Sequence, residues 1–127
     1  MESRLERVKE LQDRTKRFAV AVVRFFSRPP KTEATRVIGR QLLRAGTSVA
    51  ANYRAACHTR SAADFISKIS IVLEEADETL FWLELLVDAD IIESRLTLRL
   101  SAECHELLKI FQRRSPPQKL IANSLNR

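Results

Sequence analysis

Apolar residues recur along this chain at three- and four-residue steps in four long runs, the spacing that lines one face of an α-helix. In the first run Leu5, Val8, Leu11, Phe18, Val22 and Phe25 predict a helix that ends before Pro29 and Pro30. Two adjacent prolines stop a helix and make a short linker. Thr32 then reads as an N-cap for a second helix, whose apolar stripe is Ile38, Leu42, Ala45, Val49, Asn52 and Ala56 and which fades near His58 to Arg60. Ser61 followed by Asp64 resembles a capping box with the shorter acid and opens a third helix. There Ile66, Ile69, Leu73, Ala76, Leu80, Leu83 and Val87 keep heptad spacing. The turn "DADIIES" leads to a fourth helix from Ser94, with Leu96, Leu100, Cys104, Leu107 and Phe111 inward, closed by Pro116 and Pro117. Four long helices with short connections predict an all-α, up-down-up-down antiparallel four-helix bundle over residues 1–115, with a short mobile tail at 116–127.

One bundle needs one apolar stripe per helix, and the third helix has more. Taking about 100° per residue, Ile71, Trp82 and Leu85 point away from the Ile66–Val87 stripe and lie among Glu74, Glu75, Glu78 and Asp88. Either this helix is broadly buried in one subunit, or its outer face packs on another. Acids interleaved with apolar residues suit an interface with basic counterparts, so a homo-oligomer is the reading preferred here. Helix two supplies such counterparts: Arg36, Arg40 and Arg54 fall within roughly 40° of one another, with Leu43 beside them and Arg44 at the margin.

The segment "RAGTSVAANYRAACHTRS" is poorly suited to the helix it sits in. Gly46 costs about 1 kcal/mol of helix propensity relative to alanine, a loss that close packing against a neighbouring helix offsets. Gly46 and Thr47 therefore join Arg40, Leu43, Ile71, Glu75, Glu78, Trp82 and Leu85 as candidate subunit-interface residues. Asn52 on the core side is a candidate buried polar group, expected to bond to a backbone group or to a polar side chain of helix three or four.

The 127-residue chain carries a net charge of +6, unevenly spread. Residues 1–60 hold fourteen basic and five acidic side chains, residues 61–93 one and nine, and residues 94–127 seven and two. The positive faces suit nucleic acid or the acidic segment of a second copy. Arg7, Arg14, Lys16, Arg17, Arg36, Arg40 and Arg54 are the candidate contacts to structured RNA, bound mainly through phosphates. With few aromatic residues left for base stacking, a reader of single strands is disfavoured. The alternative is a scaffold or protein–protein interaction module in which the helix-two arginines serve subunit contacts.

Enzyme signals are weak. No glycine-rich phosphate loop, nucleophile elbow or Ser-His-Asp grouping is present. The doublets Cys57-His58 and Cys104-His105 diverge by about 100° on a helix, so one helix does not easily offer both to a metal. The residues three before each histidine are Ala55 and Ala102, which removes the Glu-x-x-His pairs of di-iron bundles. No catalytic residue, metal or cofactor is assigned. The two cysteines read as reduced, packed thiols. The charged N-terminus and the lack of a long apolar run predict a soluble, cytoplasmic chain.

The order of residues in "RQLLRAGTSVAANYRAA" and "RSAADFISKISIVLEEADETLFWLELL" resembles the bacterial four-helix-bundle family that includes proteins encoded in intervening sequences of large-subunit ribosomal RNA genes. The matching positions are Gln41-Leu42, Arg44-Ala45, Ser48, Asn52, Arg60-Ser61, Phe65, Glu74 or Glu75, and Leu83 to Leu86. The resemblance implies a four-helix protomer assembling into a ring-like pentamer, and it implies no known catalytic activity. Similar bundles act as accessory proteins of diversity-generating retroelements that engage RNA and a reverse transcriptase, which raises the expectation of RNA or an RNA-processing protein as partner. Where family members have Asn-Ile-Ala-Glu-Gly, this chain follows Asn52 with Tyr-Arg-Ala-Ala, so a role resting on that glutamate does not carry over.

Overall fold

The computed structural model describes residues 2–27 and 32–114; the Pro29–Pro30 linker and the tail from 116 lie outside them. Four helices form in chain order: α1 (Arg4–Phe25), α2 (Glu33–Ala56), α3 (Ala62–Asp88) and α4 (Ser94–Gln112). Each packs closely on its sequence neighbour and α1 also meets α4, while α1–α3 and α2–α4 stand diagonally across the core, their backbones apart among the described residues. This is the neighbour pattern of an up-down four-helix bundle.

The ends are set by local chemistry. Ser3 and Glu6 form a full reciprocal capping box on α1, each side chain bonding the other's backbone N–H. Thr32 Oγ1 accepts from Thr35 N–H, and Ser61 Oγ accepts from Asp64 N–H. The α3–α4 turn is closed differently. Asp90 adopts φ 57°, and the Ile91 and Ile92 N–H groups both donate to the Leu86 carbonyl at 3.0 and 3.1 Å. A short polar side chain is among the few that tolerate this left-handed conformation.

The core is mostly aliphatic, with Leu42, Val49, Ile69, Val72, Leu83, Leu86 and Leu107 fully buried around the aromatic Phe111. Its phase corrects the expected stripes in each helix. Leu5 is 82% exposed because it lies in the first turn of α1, beyond the reach of the opposing helices. On α2, Tyr53 rather than Asn52 enters the core and stacks on Phe111, ring centroids 5.4 Å apart. On α3, Val72, Thr79 and Leu86 are buried, whereas Ile66 is exposed and Leu73 and Val87 are half-buried. This helix lies between α2 and α4 and must turn a broad face to both. Leu96 of α4 is exposed, and Thr97 takes the inward place one residue later.

Both glycines of the chain lie on α2 where it meets α1. A Cβ on Gly46 would stand 2.9 Å from Val22 Cγ2, and one on Gly39 2.8 Å from Phe26 Cε1. At Gly46 the β-branched Val22 leaves no room for a side chain, and close packing offsets the propensity loss; at Gly39 the contact is the edge of the Phe26 ring. Cys104 fastens α3 to α4: its thiol donates to the Ala76 carbonyl at 3.1 Å, and burial pushes its pKa up to about 12.

Candidate functional site

The outer seam between α2 and α3 holds the residues expected at a subunit interface. Arg44, one turn beyond Arg40, reaches across from α2 to both Glu75 and Glu78 of α3. Glu78 also accepts from the Trp82 indole N–H at 3.2 Å. Hydrogen bonding to Arg44, reinforced by Trp82, holds the Glu78 carboxyl below its usual range, and the same contacts raise the Arg44 pKa. Glu75, Glu78 and Trp82 thus have partners within the chain, and the basic residue that meets them there is Arg44.

Other members of that set also turn inward. Trp82 and Leu43 pack partly on the core, and Ile71 and Leu85 are half-buried. Gly46 is buried against Val22 of its own chain. The Thr47 hydroxyl donates to the Leu43 carbonyl at 2.7 Å within α2. Asn52 is half-buried, and its amide donates to the Ser48 carbonyl at 2.9 Å in its own helix rather than to helix three or four.

The basic residues divide into occupied and free ones. Arg14 makes a two-pronged bond to Glu103 of α4, at 2.9 and 2.7 Å, and this bond raises the Arg14 pKa. That guanidinium bridges two helices of the bundle, with a third of its side chain exposed. Arg36 pairs with Glu33 one turn away on the exposed surface. Arg7 donates to the Glu2 carbonyl oxygen. Lys16, Arg17, Arg40 and Arg54 are exposed and make no ion pair among the described residues.

Two outward stripes were missed in the sequence. On α1, Lys16, Arg17 and Arg24 surround Val20, which is 40% exposed, along one shallow groove with Asp13 as its one acid. On α3, Glu74, Asp77, Glu84 and Asp88 surround Phe81, which is 52% exposed and edge-stacked on Trp82. The signal for the second was present: Glu74, Asp77, Phe81, Glu84 and Asp88 follow alternating steps of three and four.

Among the described residues, no group of three or more His, Cys, Asp or Glu side chains is placed to hold a metal ion. Nor is any described helix long and apolar enough to cross a membrane.

Comparison with known proteins places this architecture. A crystal structure of a protein of unknown function from the S23 ribosomal protein family of Bacteroides thetaiotaomicron is similar, with TM-score 0.72 and 36% identity over 80% of this chain and 94% of that one. No curated protein matches. The family model described as 23S rRNA-intervening sequence protein matches residues 9–113, nearly the whole bundle, and the chain therefore belongs to the 23S rRNA-intervening sequence protein family.

Proposed function

We propose that this protein is a non-catalytic, homo-oligomeric bundle that engages structured RNA through arginines of its outer faces. The observation that carries the reading is the division of the outer surface. A basic stripe with an exposed valine lies on α1, and an acidic stripe with an exposed phenylalanine lies on α3, on two helices diagonal to one another in the bundle. Two complementary faces that point in different directions favour head-to-tail association, which closes into a ring when the rotation permits. Apolar centres flanked by opposite charges supply both burial and steering for such a contact. A pentamer is the closure we propose, on the family resemblance.

With the α1 and α3 stripes joined between subunits, Arg40 and Arg54 on the outer face of α2 remain for RNA, repeated around the ring. Arginine suits phosphate through its planar fork. Repetition raises avidity without any new contact. Binding of this kind is salt-sensitive, with a logarithmic slope of about −0.7 to −0.9 per phosphate neutralised.

The test has two halves. Analytical ultracentrifugation of wild type and of Phe81→Asp measures the assembly: the wild type should sediment as a discrete oligomer and the variant as a smaller species. Fluorescence anisotropy with a labelled structured RNA and a matched DNA duplex, from low to physiological salt, measures recognition. Saturable binding that favours RNA and is lost in Arg40→Glu/Arg54→Glu at native mass supports the reading. Equal, weak binding to both nucleic acids would refute the RNA half and leave a scaffold that acts through protein contacts.

A further inference from the structure

One end of the bundle, where α1 begins, α2 ends, α3 begins and α4 ends, carries a cleft of ≈ 710 Å³. That volume is within the ordinary range for small-molecule sites, about 300–1,000 Å³. Its wall contains Arg4, Arg7, Arg60 and Arg114 and no carboxylate. None of the four makes an ion pair among the described residues. Arg7 and Arg114 each use one N–H on a backbone carbonyl, Glu2 and Ile110 respectively, which positions the guanidinium while leaving other donors free. The Glu2 carboxyl, outside the wall, has its pKa raised by the neighbouring Glu10, an effect that Arg7 opposes.

A second observation points into the same cleft. Tyr53 lines it, is 2% exposed, and its hydroxyl has the Cys57 thiol, a weak partner, beside it. Burial, first, and the neighbouring Cys57 push its pKa well above the usual tyrosine value, so it stays a neutral O–H donor. A buried hydroxyl without a good partner costs roughly 1–3 kcal/mol, and a ligand oxygen would supply one. Ser61 and Ala62, at the start of α3, add backbone N–H groups at the favourable end of a helix. The remaining wall is apolar, with half-buried Phe65 and exposed Leu5.

Four guanidinium groups without an acid exceed what one carboxylate would balance, and they suit a phosphate monoester, which carries about −1.5 to −2 charges at neutral pH. The apolar wall requires an organic body beside that charge. We infer that the end cleft binds a terminal phosphate carried on a flat or apolar body, of the nucleoside monophosphate class, either free or as the phosphorylated end of an RNA. The site uses neither Arg40 nor Arg54 and does not depend on the RNA-binding role proposed for them.

Isothermal titration calorimetry of the full chain with adenosine monophosphate, and with adenosine as the uncharged control, tests the site. Saturable binding of the monophosphate alone is expected. Arg60→Ala/Arg114→Ala, at two exposed positions, should weaken it at least tenfold with an unchanged circular dichroism spectrum. Tyr53→Phe, which keeps the ring against Phe111, should weaken it severalfold. Equal affinity for adenosine, unchanged affinity in the arginine double variant, or no binding of the monophosphate or of a 5′-phosphorylated RNA oligonucleotide would overturn the inference. If the 5′-phosphorylated oligonucleotide binds more tightly than the free nucleotide and its 5′-hydroxyl twin does not bind, the ligand is an RNA end. If the free nucleotide binds and the two oligonucleotides do not differ, it is a small molecule.

Discussion

The α2–α3 seam and the α1–α4 seam are both bridged by arginine and glutamate, yet they are built differently. Where α2 meets α3 the helices share the most extensive contact in the bundle, and Arg44, Glu75, Glu78 and Trp82 are laid over a packed hydrophobic layer. Where α1 meets α4 the contact is the smallest of the four, and the Arg14–Glu103 pair spans it. Side chains at both bridges keep a third or so of their surface in water. The comparison teaches that the ion pairs choose which helices sit side by side, while burial beneath them supplies most of the free energy, because exposed pairs contribute only about 0.2–1 kcal/mol.

The sharpest way to break this view is at the buried layer. Leu83→Ala, at a fully buried position of α3, should lose about 2–5 kcal/mol in urea unfolding. A loss no larger than that from deleting an ion pair would reverse the ranking.

A middle-sized effect separates the two glycines. In Gly46→Ala the new methyl meets Val22, a stiff β-branched side chain at 0% exposure. Overpacking of about 1–3 kcal/mol against a propensity gain of about 1 kcal/mol leaves a net loss of about 1 kcal/mol. In Gly39→Ala the neighbour is the far edge of the half-buried Phe26 ring, which can turn aside, so stability should hold or rise. Paired urea midpoints decide the matter, and equal shifts in both variants would contradict the rigid Val22 contact.

The smallest effects lie in the bridges themselves. Double-mutant cycles on Arg14–Glu103 and Arg44–Glu78 should each return a coupling below about 1 kcal/mol. The second carries a pH signature. Glu78 is held below its ordinary carboxylate value in the folded state, so its contribution is complete above the unfolded value of about 4.3 and is lost as pH falls through the lower folded value. The stability gap between wild type and Glu78→Gln should therefore close as pH is lowered from about 6 to about 3; a gap that widened would mean the carboxyl is stabilised in its protonated form.

Helix existence and ends were legible because the signals are local: Thr32 and Ser61 act as the N-caps their sequence context predicts. The family could also be read, since "RQLLRAGTSVAAN" and "FISKISIVLEEADETLFWLELL" combine several spaced identities. Phase was harder. Asn52 and Tyr53 differ by one position, and only the placement of Phe111 on α4 decides that Tyr53 turns inward. The arginines were least legible, because a side chain that long reaches either of two partners. Arg14 is taken up by a glutamate 89 positions away, while Arg17, three residues later, makes no ion pair among the described residues. The end cleft draws its residues from α1, α2, the α2–α3 connection, α3 and the turn after α4, and leaves no pattern in any one stretch.

The up-down order has a consequence for how fast this structure forms. Three of the four helix contacts join elements adjacent in sequence, and only the slight α1–α4 seam requires the two ends of the chain to meet. Loop closure between distant segments is the slow part of folding, and bundles dominated by local contacts fold in about microseconds to milliseconds. Here that closure also returns the least contact. The α2–α3 hairpin is the natural nucleus, with α1 and α4 docking on either side and their mutual seam closing last, so substitutions at Arg14 or Glu103 should alter the rate of unfolding and leave the rate of folding nearly untouched.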